Sequence, residues 1–203
     1  MKPQIKPRKQ PQQARSKAMV DTILDATARI LVRESYAKAS TNAIAEAAGI
    51  SVGSLYQYFP NKDTLITALH ERHLVQVHAA FARIAAQPEK MLLAQTVKAI
   101  IRAIVEAHTV EPDLHKVLES EVPHLIRTGS QHEKDFEIAI YEFLRRHRDE
   151  ISVKNLRMAT FMIGQMVHAL VHAAVIEQPE ELSVAAIERE TVRAVLAYLT
   201  SEA

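Results

Sequence analysis

The segment from Thr41 to Lys62, TNAIAEAAGISVGSLYQYFPNK, constrains the fold more strongly than any other part of the chain. Ile44 places an apolar side chain on the inner face of a first short helix, and Gly49 supplies the positive φ that ends a helix without a Cβ clash. Leu55 and Phe59 then resume an apolar face at helical spacing. The segment therefore predicts two short helices joined by a glycine turn, with Leu55 and Phe59 in the core.

The outward face of the second helix is small, hydroxylic and aromatic, and it carries almost no charge. A surface helix that meets only water normally carries more Lys and Glu, whereas this composition suits a helix lying in a DNA groove between two phosphate walls. Ser51 and Tyr58 also have structural alternatives, a helix cap and a ring packed on the core. We expect phosphate contacts from Thr41, Tyr56, Tyr58 and Lys62. We expect approach to the bases from Ser51, Val52, Gly53, Ser54 and Gln57.

The sequence STNAIAEAAGISVGSLYQYFPNKDTLITAL resembles the DNA-binding domain of the TetR family of bacterial repressors, in which the pattern TxxxIAxxAGxSxGxxYxYFxxKxxL recurs. The match runs from about Arg15 to about Leu74 and fills nearly every position of the pattern. Beyond roughly residue 80, only the helical pattern and the overall length resemble the family. The resemblance therefore implies DNA binding and a TetR-like fold, and it implies very little about an effector.

Helical periodicity continues through the rest of the 203-residue chain, and only four Gly and eight Pro interrupt it. We predict an all-α fold of nine helices, divided into a basic arm at 1–14, a helix-turn-helix domain at 15–62 and an effector-binding and dimerisation domain at 63–203. The absence of cysteine excludes disulfides, thiolate zinc sites and cysteine catalysis. The predicted helices lie at about 17–34, 42–48, 52–58, 62–86, 90–110, 112–120, 132–148, 154–177 and 183–201.

Basic charge is concentrated at the N-terminus. Six of the 25 basic side chains and none of the 24 acidic ones lie in residues 1–20, so the remainder of the chain has a net charge of about −5. An arm of this kind can enter the minor groove or lie along phosphates. The alternative is a disordered tail that only aids solubility.

The segment from Leu156 to Ile176 is apolar on most sides, with 15 apolar residues out of 21. Arg157 and Gln165 interrupt it, so we expect a helix of a cytoplasmic protein and not a membrane span. The simplest cover for such a helix is a second copy of itself and of the helix that follows it. A homodimer would present two reading helices to a pseudo-palindromic operator. The predicted interface residues are Phe161, Gly164, His168, His172, Val195 and Leu199.

Ten histidines invite a metal-binding hypothesis. His168 and His172 form an i, i+4 pair, and His70 and His73 form an i, i+3 pair, so each pair can offer two ligands to one ion. The sequence places no third ligand with either pair. We therefore expect no metal site and no cofactor, and we interpret His168 and His172 as part of a close helix crossing or of a polar patch that lines a cavity.

The middle helices carry apolar residues that an effector pocket would need. Flexible Met side chains tolerate varied ligands, and a mostly apolar lining favours a small apolar effector. For each residue taken singly, the alternative is an ordinary core position. The candidate residues are Ile104, His108, Val117, Glu121, Ile140, Phe143, Met162 and Met166.

These observations favour a homodimeric transcriptional regulator, a repressor that a small ligand releases from its operator. One alternative is an architectural DNA-binding protein without an effector. A second is a helical enzyme, for which Glu119, Glu121 and His124 form the best cluster. The sequence places neither a nucleophile nor a third partner for His124, so we predict that the chain is not an enzyme.

Overall fold

The computed structural model describes residues 14–86, 91–122, 125 and 131–201. Within these residues the chain forms nine α-helices and no β-strand, which confirms the predicted all-α class. The predicted arm at 1–14 lies outside the described residues except for Ala14, and so does His124. The helices are α1 (Ala14–Lys38), α2 (Thr41–Ala47), α3 (Val52–Tyr58), α4 (Lys62–Ala85), α5 (Leu93–His108), α6 (Pro112–Glu121), α7 (Gln131–Arg146), α8 (Leu156–His172) and α9 (Val184–Thr200).

The described residues divide into two compact units, and α4 contributes to both. The N-terminal unit comprises the described residues within Met1–His73 and Asp113–Thr128, so it holds α1, α2, α3 and nearly all of α6. The C-terminal unit comprises Leu74–Pro112 and Gly129–Ala203. The functional boundaries that we predicted at 14/15 and 62/63 stay predictions.

The N-terminal unit is built around side chains that the helical periodicity of the sequence places inward. Ile23, Leu55 and Leu65 are 0% exposed, and Phe59 is 2% exposed. Leu118 of α6 belongs to the same apolar cluster. Burying an apolar side chain of this size stabilises a fold by about 1.5–3 kcal/mol. The short helices α2 and α3 therefore owe their stability to this core and not to their own length.

The C-terminal unit has an apolar core formed by α5, α7, α8, α9 and the second half of α4. Side chains satisfy the free N–H groups at several helix starts. The Asn155 carbonyl oxygen accepts from the Met158 N–H at 3.1 Å, and the Ser183 hydroxyl accepts from the Ala186 N–H at 3.2 Å. The Glu150 carboxylate accepts from the Leu93 N–H at 2.8 Å.

Helix α8 ends earlier than the sequence indicated. The prediction ran to residue 177, but regular α-helical bonding stops at His172 and a π-helical turn covers Ala173–Glu177. Gln178 then adopts the left-handed conformation, with φ 45°. One described segment, Leu156–Glu177, is long and apolar enough by length and composition to cross a membrane. A helix that is covered by a second protein chain has the same composition.

Two of the predicted dimer contacts are buried within the chain itself. Val195 is 2% exposed and Leu199 is 0% exposed within a single chain, so both belong to the core of their own subunit and offer no surface to a partner. Phe161 is 58% exposed. The sequence shows that α9 has a broad apolar surface, but it does not show which part of that surface its own subunit covers.

Candidate functional site

The turn between α2 and α3 has the geometry that the sequence predicts. Gly49 has φ +68°, and its N–H donates to the Glu46 carbonyl at 3.0 Å, while the Ile50 N–H donates to the Ala45 carbonyl at 3.0 Å. These two bonds form a Schellman motif, which ends a helix at a residue in the left-handed region. A Cβ at Gly49 would meet no atom within 4 Å, so the backbone angle, and not crowding, requires glycine here.

Ser51 fixes the start of α3. Its hydroxyl accepts from the Ser54 N–H at 3.0 Å and lies 2.8 Å from the Ser54 hydroxyl. The capping alternative for Ser51 is therefore confirmed. Its contact with a base stays a prediction, and the residue remains exposed.

Helix α3 buries one side and exposes the other. Leu55 is fully buried, as predicted, whereas Tyr56 and Gln57 are exposed. Val52 and Tyr58 are partly buried against the N-terminal core, so Tyr58 has the packed ring that was its structural alternative. The exposed face thus consists of small, hydroxyl-bearing and amide side chains.

Two predicted phosphate contacts lie together at the start of α2. The Thr41 hydroxyl and the Tyr56 hydroxyl are 3.0 Å apart and share a hydrogen bond. A phosphate oxygen can accept from a hydroxyl that is held in this way. The two residues therefore form one polar patch beside α3, and their contact with DNA stays a prediction.

Lys62 does not extend into solvent. Its ammonium donates to the Tyr36 carbonyl at 2.7 Å and to the Ala39 carbonyl at 3.1 Å, and it lies 3.9 Å from the centre of the Tyr36 ring. These contacts hold the end of α1 against the start of α4. The predicted phosphate contact of Lys62 is untested, but any such contact has to compete with these partners.

Tyr36 joins three helices of the N-terminal unit. Its hydroxyl donates to the Asp63 carboxylate at 2.6 Å, and burial, together with the hydrogen bond to Asp63 and the charge of that carboxylate, raises the pKa of Tyr36 to about 12. Its N–H donates to the Glu121 carboxylate of α6 at 2.6 Å. Ser35, with φ 65° and ψ 166°, interrupts the helical bonding of α1 just before it. This backbone conformation is sparsely populated for any residue other than glycine.

Glu121 therefore has a defined structural partner that sequence reasoning did not foresee. It was predicted both as an effector-pocket residue and as part of the alternative catalytic cluster. Its carboxylate instead accepts from a backbone N–H in α1. Val117, another predicted pocket residue, packs on the apolar core of the same N-terminal unit.

Four other predicted pocket residues lie in the core of the C-terminal unit. Ile104, His108, Ile140 and Phe143 are each 5–7% exposed. Met166 packs on the same core as a partly buried side chain, whereas Met162 is 36% exposed. The structure thus brings part of the predicted lining together in one apolar interior. Their contact with an effector stays a prediction.

An open surface depression with a volume of about 540 Å³ lies elsewhere on the C-terminal unit. It includes none of the predicted pocket residues. Three of its side chains are cationic, so its chemistry differs from that of an apolar pocket. The lining residues are Tyr141, Arg148, Lys154, Asn155, Leu156 and Arg157.

Three histidines of the C-terminal unit lie side by side. The ring centres of His168 and His172 are 4.0 Å apart, and those of His108 and His172 are 5.1 Å apart. The pKa of His108 is lowered, chiefly by burial and also by the charge of His168, although a hydrogen bond to the Ile104 carbonyl opposes the shift. The sequence identified the His168–His172 pair by its spacing, but it gave no signal that His108 joins them.

Comparisons with known proteins agree with this architecture. Residues 93–199 match the family model described as "Tetracyclin repressor-like, C-terminal domain". Residues 23–69 match the model described as "Bacterial regulatory proteins, tetR family". The chain belongs to the TetR family. As a member of this family it is a DNA-binding transcriptional regulator with a helix-turn-helix domain and a ligand-binding domain.

Curated relatives match only part of the chain. The nucleoid occlusion factor SlmA of Actinobacillus pleuropneumoniae is 33% identical over 81 residues, which are 40% of this chain and 39% of SlmA. SlmA of Haemophilus ducreyi is 32% identical over 81 residues, which are again 40% of this chain and 39% of SlmA. The match therefore spans less than half the length of these relatives.

Solved structures of TetR-like regulators share the fold along nearly the whole chain. The fatty acid degradation regulator FadR from Bacillus halodurans has a TM-score of 0.72 at 17% identity, covering 93% of this chain and 97% of that chain. FadR from Bacillus subtilis, solved in complex with stearoyl-CoA, has a TM-score of 0.71 at 18% identity, covering 88% and 98%. At these identities the likeness concerns the fold alone.

Proposed function

We propose that this TetR-family regulator is a cytoplasmic, homodimeric repressor that binds a pseudo-palindromic operator and leaves it when a small apolar effector binds. The observation that carries the proposal is the exposed face of α3. It is almost uncharged, and Ser51 and the Gly49 turn fix its start. Such a face suits a helix that meets bases and phosphates in the major groove.

Gly53 supports close approach of DNA to α3. A Cβ added to Gly53 would meet only the Ser51 hydroxyl at 3.8 Å, which is an ordinary contact. Glycine inside a helix costs about 0.5–1 kcal/mol relative to alanine. Since packing within the protein does not require glycine here, an outside surface that comes close to the backbone provides the reason.

Helix α8 supports the dimer by similar reasoning. Met158 and Phe161 are 53% and 58% exposed on this helix, and large apolar side chains exposed together are typical of protein interfaces. Gly164 has no atom within 4 Å of an added Cβ, so its own subunit does not require glycine there. A second copy of α8 that crosses closely at Gly164 explains both features. Two reading helices would then face half-sites about 34–36 Å apart.

The interior of the C-terminal unit supports an apolar effector. Ile104, Ile140 and Phe143 contribute apolar surface, and Met166 can adjust its shape to a ligand. The B. subtilis FadR of the same fold was solved with stearoyl-CoA, a ligand with a long apolar chain. An effector whose affinity differs between the DNA-binding and released states by about 1–3 kcal/mol would change operator occupancy roughly 5- to 150-fold.

Helix α4 provides the covalent route between the two activities, because it contributes to both compact units. Its first residues, Lys62 and Asp63, bind Tyr36 at the end of α1. A displacement of α4 would therefore move the helices that carry the reading surface. Coupling of this kind needs an element with two arrangements, each favoured by one ligand.

The main alternative is a DNA-binding role that needs no effector. The SlmA relatives are called nucleoid occlusion factors, and their partial match keeps this class open for the chain. The two roles differ in one measurable respect. An architectural protein would keep its footprint in the presence of small molecules, whereas an effector-released repressor would lose it.

Site selection from random DNA, followed by footprinting with the purified chain, tests the proposal. We expect a pseudo-palindromic consensus and a dimer by sedimentation. Candidate effectors, beginning with fatty acids and acyl-CoA esters, are then added to the footprinted complex. A consensus with a single half-site, or a chain that sediments as a monomer at micromolar concentration, would contradict the homodimeric repressor.

A further inference from the structure

A histidine cluster in the C-terminal unit consists of His108, His168 and His172. His168 and His172 lie one turn apart on α8, and His108 is the last residue of α5. The three rings form a chain of contacts with centre-to-centre distances of 4.0 Å and 5.1 Å. Two helices that are distant in sequence thus direct imidazoles into the same small region.

His108 has the protonation pattern of a metal ligand. Its Nδ1 lies 2.8 Å from the Ile104 carbonyl oxygen, and a carbonyl oxygen can only accept, so Nδ1 carries the proton. In the neutral ring, Nε2 then holds the lone pair that binds a metal. Histidines that bind metals commonly donate their other ring N–H to a backbone carbonyl in this way.

One pair of rings, His108 and His172, already has the separation that a zinc-like ion requires. A Zn–N distance of about 2.0–2.1 Å places the centres of two tetrahedrally arranged imidazoles about 5 Å apart. His108 and His172 already have this separation, at 5.1 Å. His168 and His172 are 4.0 Å apart and would have to separate by about 1 Å. His168 is exposed, and a side-chain rotation can supply this movement.

We propose that His108, His168 and His172 bind one divalent transition-metal ion of the zinc and nickel class. Neutral imidazole is a preferred ligand of these ions. Three protein ligands leave at least one position for water or for an anionic group of a ligand. The cluster is open on one side, since His168 is exposed whereas His108 is 5% exposed, so an ion can enter without unfolding the unit.

Cobalt binding to the full chain gives a direct test. The chain contains no cysteine, so visible absorption of bound Co²⁺ reports nitrogen and oxygen ligands without a thiolate contribution. The protein is first dialysed against a chelator and then titrated with Co²⁺. We expect one tight ion per chain, with the visible bands of a tetrahedral site, and loss of these bands when Zn²⁺ is added.

Variants locate the ion. His108→Gln and His172→Gln should each weaken Co²⁺ binding at least about 10- to 100-fold, because loss of even an outer partner of a ligand costs that much. His168→Gln changes an exposed residue, so it tests the site even if a buried variant fails to fold. The matched control is His78→Gln with His132→Gln, a second pair whose ring centres lie 6.4 Å apart in the same unit. The control should keep wild-type stoichiometry and affinity.

The result is independent of the proposed repressor, because the titration contains neither DNA nor effector. Equal Co²⁺ affinity in wild type and in the folded His168→Gln and His172→Gln variants would overturn the metal site. So would only millimolar affinity in the wild type. A change in sedimentation of these variants without any change in metal binding would instead assign the two histidines to the dimer interface.

Discussion

Lys62 can stabilise the fold through its contacts within the chain or bind a DNA phosphate, and the substitution Lys62→Met distinguishes these two roles. The variant keeps the apolar stem but loses the ammonium bonds to Tyr36 and Ala39 and the contact with the Tyr36 ring. At this partly exposed site each bond contributes about 1 kcal/mol and the ring contact about 0.5–1 kcal/mol. We therefore expect a loss of about 2–3 kcal/mol in the free energy of unfolding. For a chain of this length, that loss lowers the melting temperature by roughly 5–10 °C.

Calorimetry measures the stability of wild type and Lys62→Met, and titrations at several salt concentrations measure how tightly each binds DNA. Each phosphate contact contributes about 0.9 to the slope of log affinity against log salt. If the ammonium stays with its carbonyl partners, Lys62→Met leaves this slope unchanged. Lys98→Met, at an exposed position of α5, is the control and should change neither quantity. A wild-type melting temperature combined with a slope reduced by about 0.9 would refute the structural assignment.

Four further perturbations test other parts of the account. Gly53→Ala should raise the free energy of unfolding of the DNA-free protein by about 0.5–1 kcal/mol, as measured by melting. The same variant should bind the operator more weakly in a titration. Operator binding as tight as that of the wild type would contradict a close approach of DNA to Gly53. Gln57→Ala should cost about 1–3 kcal/mol on the operator and relax preference at one base pair per half-site, whereas identical selected consensus sequences would exclude base contact. Gly164→Leu should yield monomers or aggregates in sedimentation with Gly164→Ala as the smaller control, and an intact dimer would argue against a close crossing. Folding raises the pKa of Tyr36 from 10.0 to about 12, so the protonated hydroxyl stabilises the folded chain. This contribution is complete below pH 10.0 and is lost as the pH rises to about 12. Tyr36→Phe should not show this loss of stability when its melting temperature is measured between pH 10.0 and about 12. If wild type and Tyr36→Phe lose stability equally over this range, Tyr36 does not contribute to the pH dependence.

Local sequence signals account for the success with the helix-turn-helix. The Gly49 turn, the Ser51 cap and the burial of Leu55 depend on residues within a few positions of one another. Periodicity and caps also placed the nine helices, with ends displaced by a few residues. These features required no knowledge of the tertiary fold.

Contacts that depend on distant parts of the chain could not be predicted from the sequence. Lys62 meets Tyr36, which precedes it by 26 positions, and Glu121 meets the same residue from 85 positions away. Leu199 is apolar in either a core or an interface, and composition alone does not separate the two. His108 joins the α8 histidines only because α5 packs on that helix.

In the N-terminal unit, Tyr36 of α1 makes hydrogen bonds with residues of both α4 and α6. The conformation of Ser35, with φ 65°, frees the Tyr36 N–H from the helical ladder, and Glu121 of α6 accepts from it at 2.6 Å. The carbonyl and hydroxyl of Tyr36 bind Lys62 and Asp63 at the start of α4. A strained conformation persists only where surrounding contacts hold it. We therefore expect a shift of either α4 or α6 to release strain at Ser35 and to alter the end of α1, the helix on which α2 packs. Because α3 in turn packs on α2, we expect a change at Tyr36 to reach the turn between these two helices.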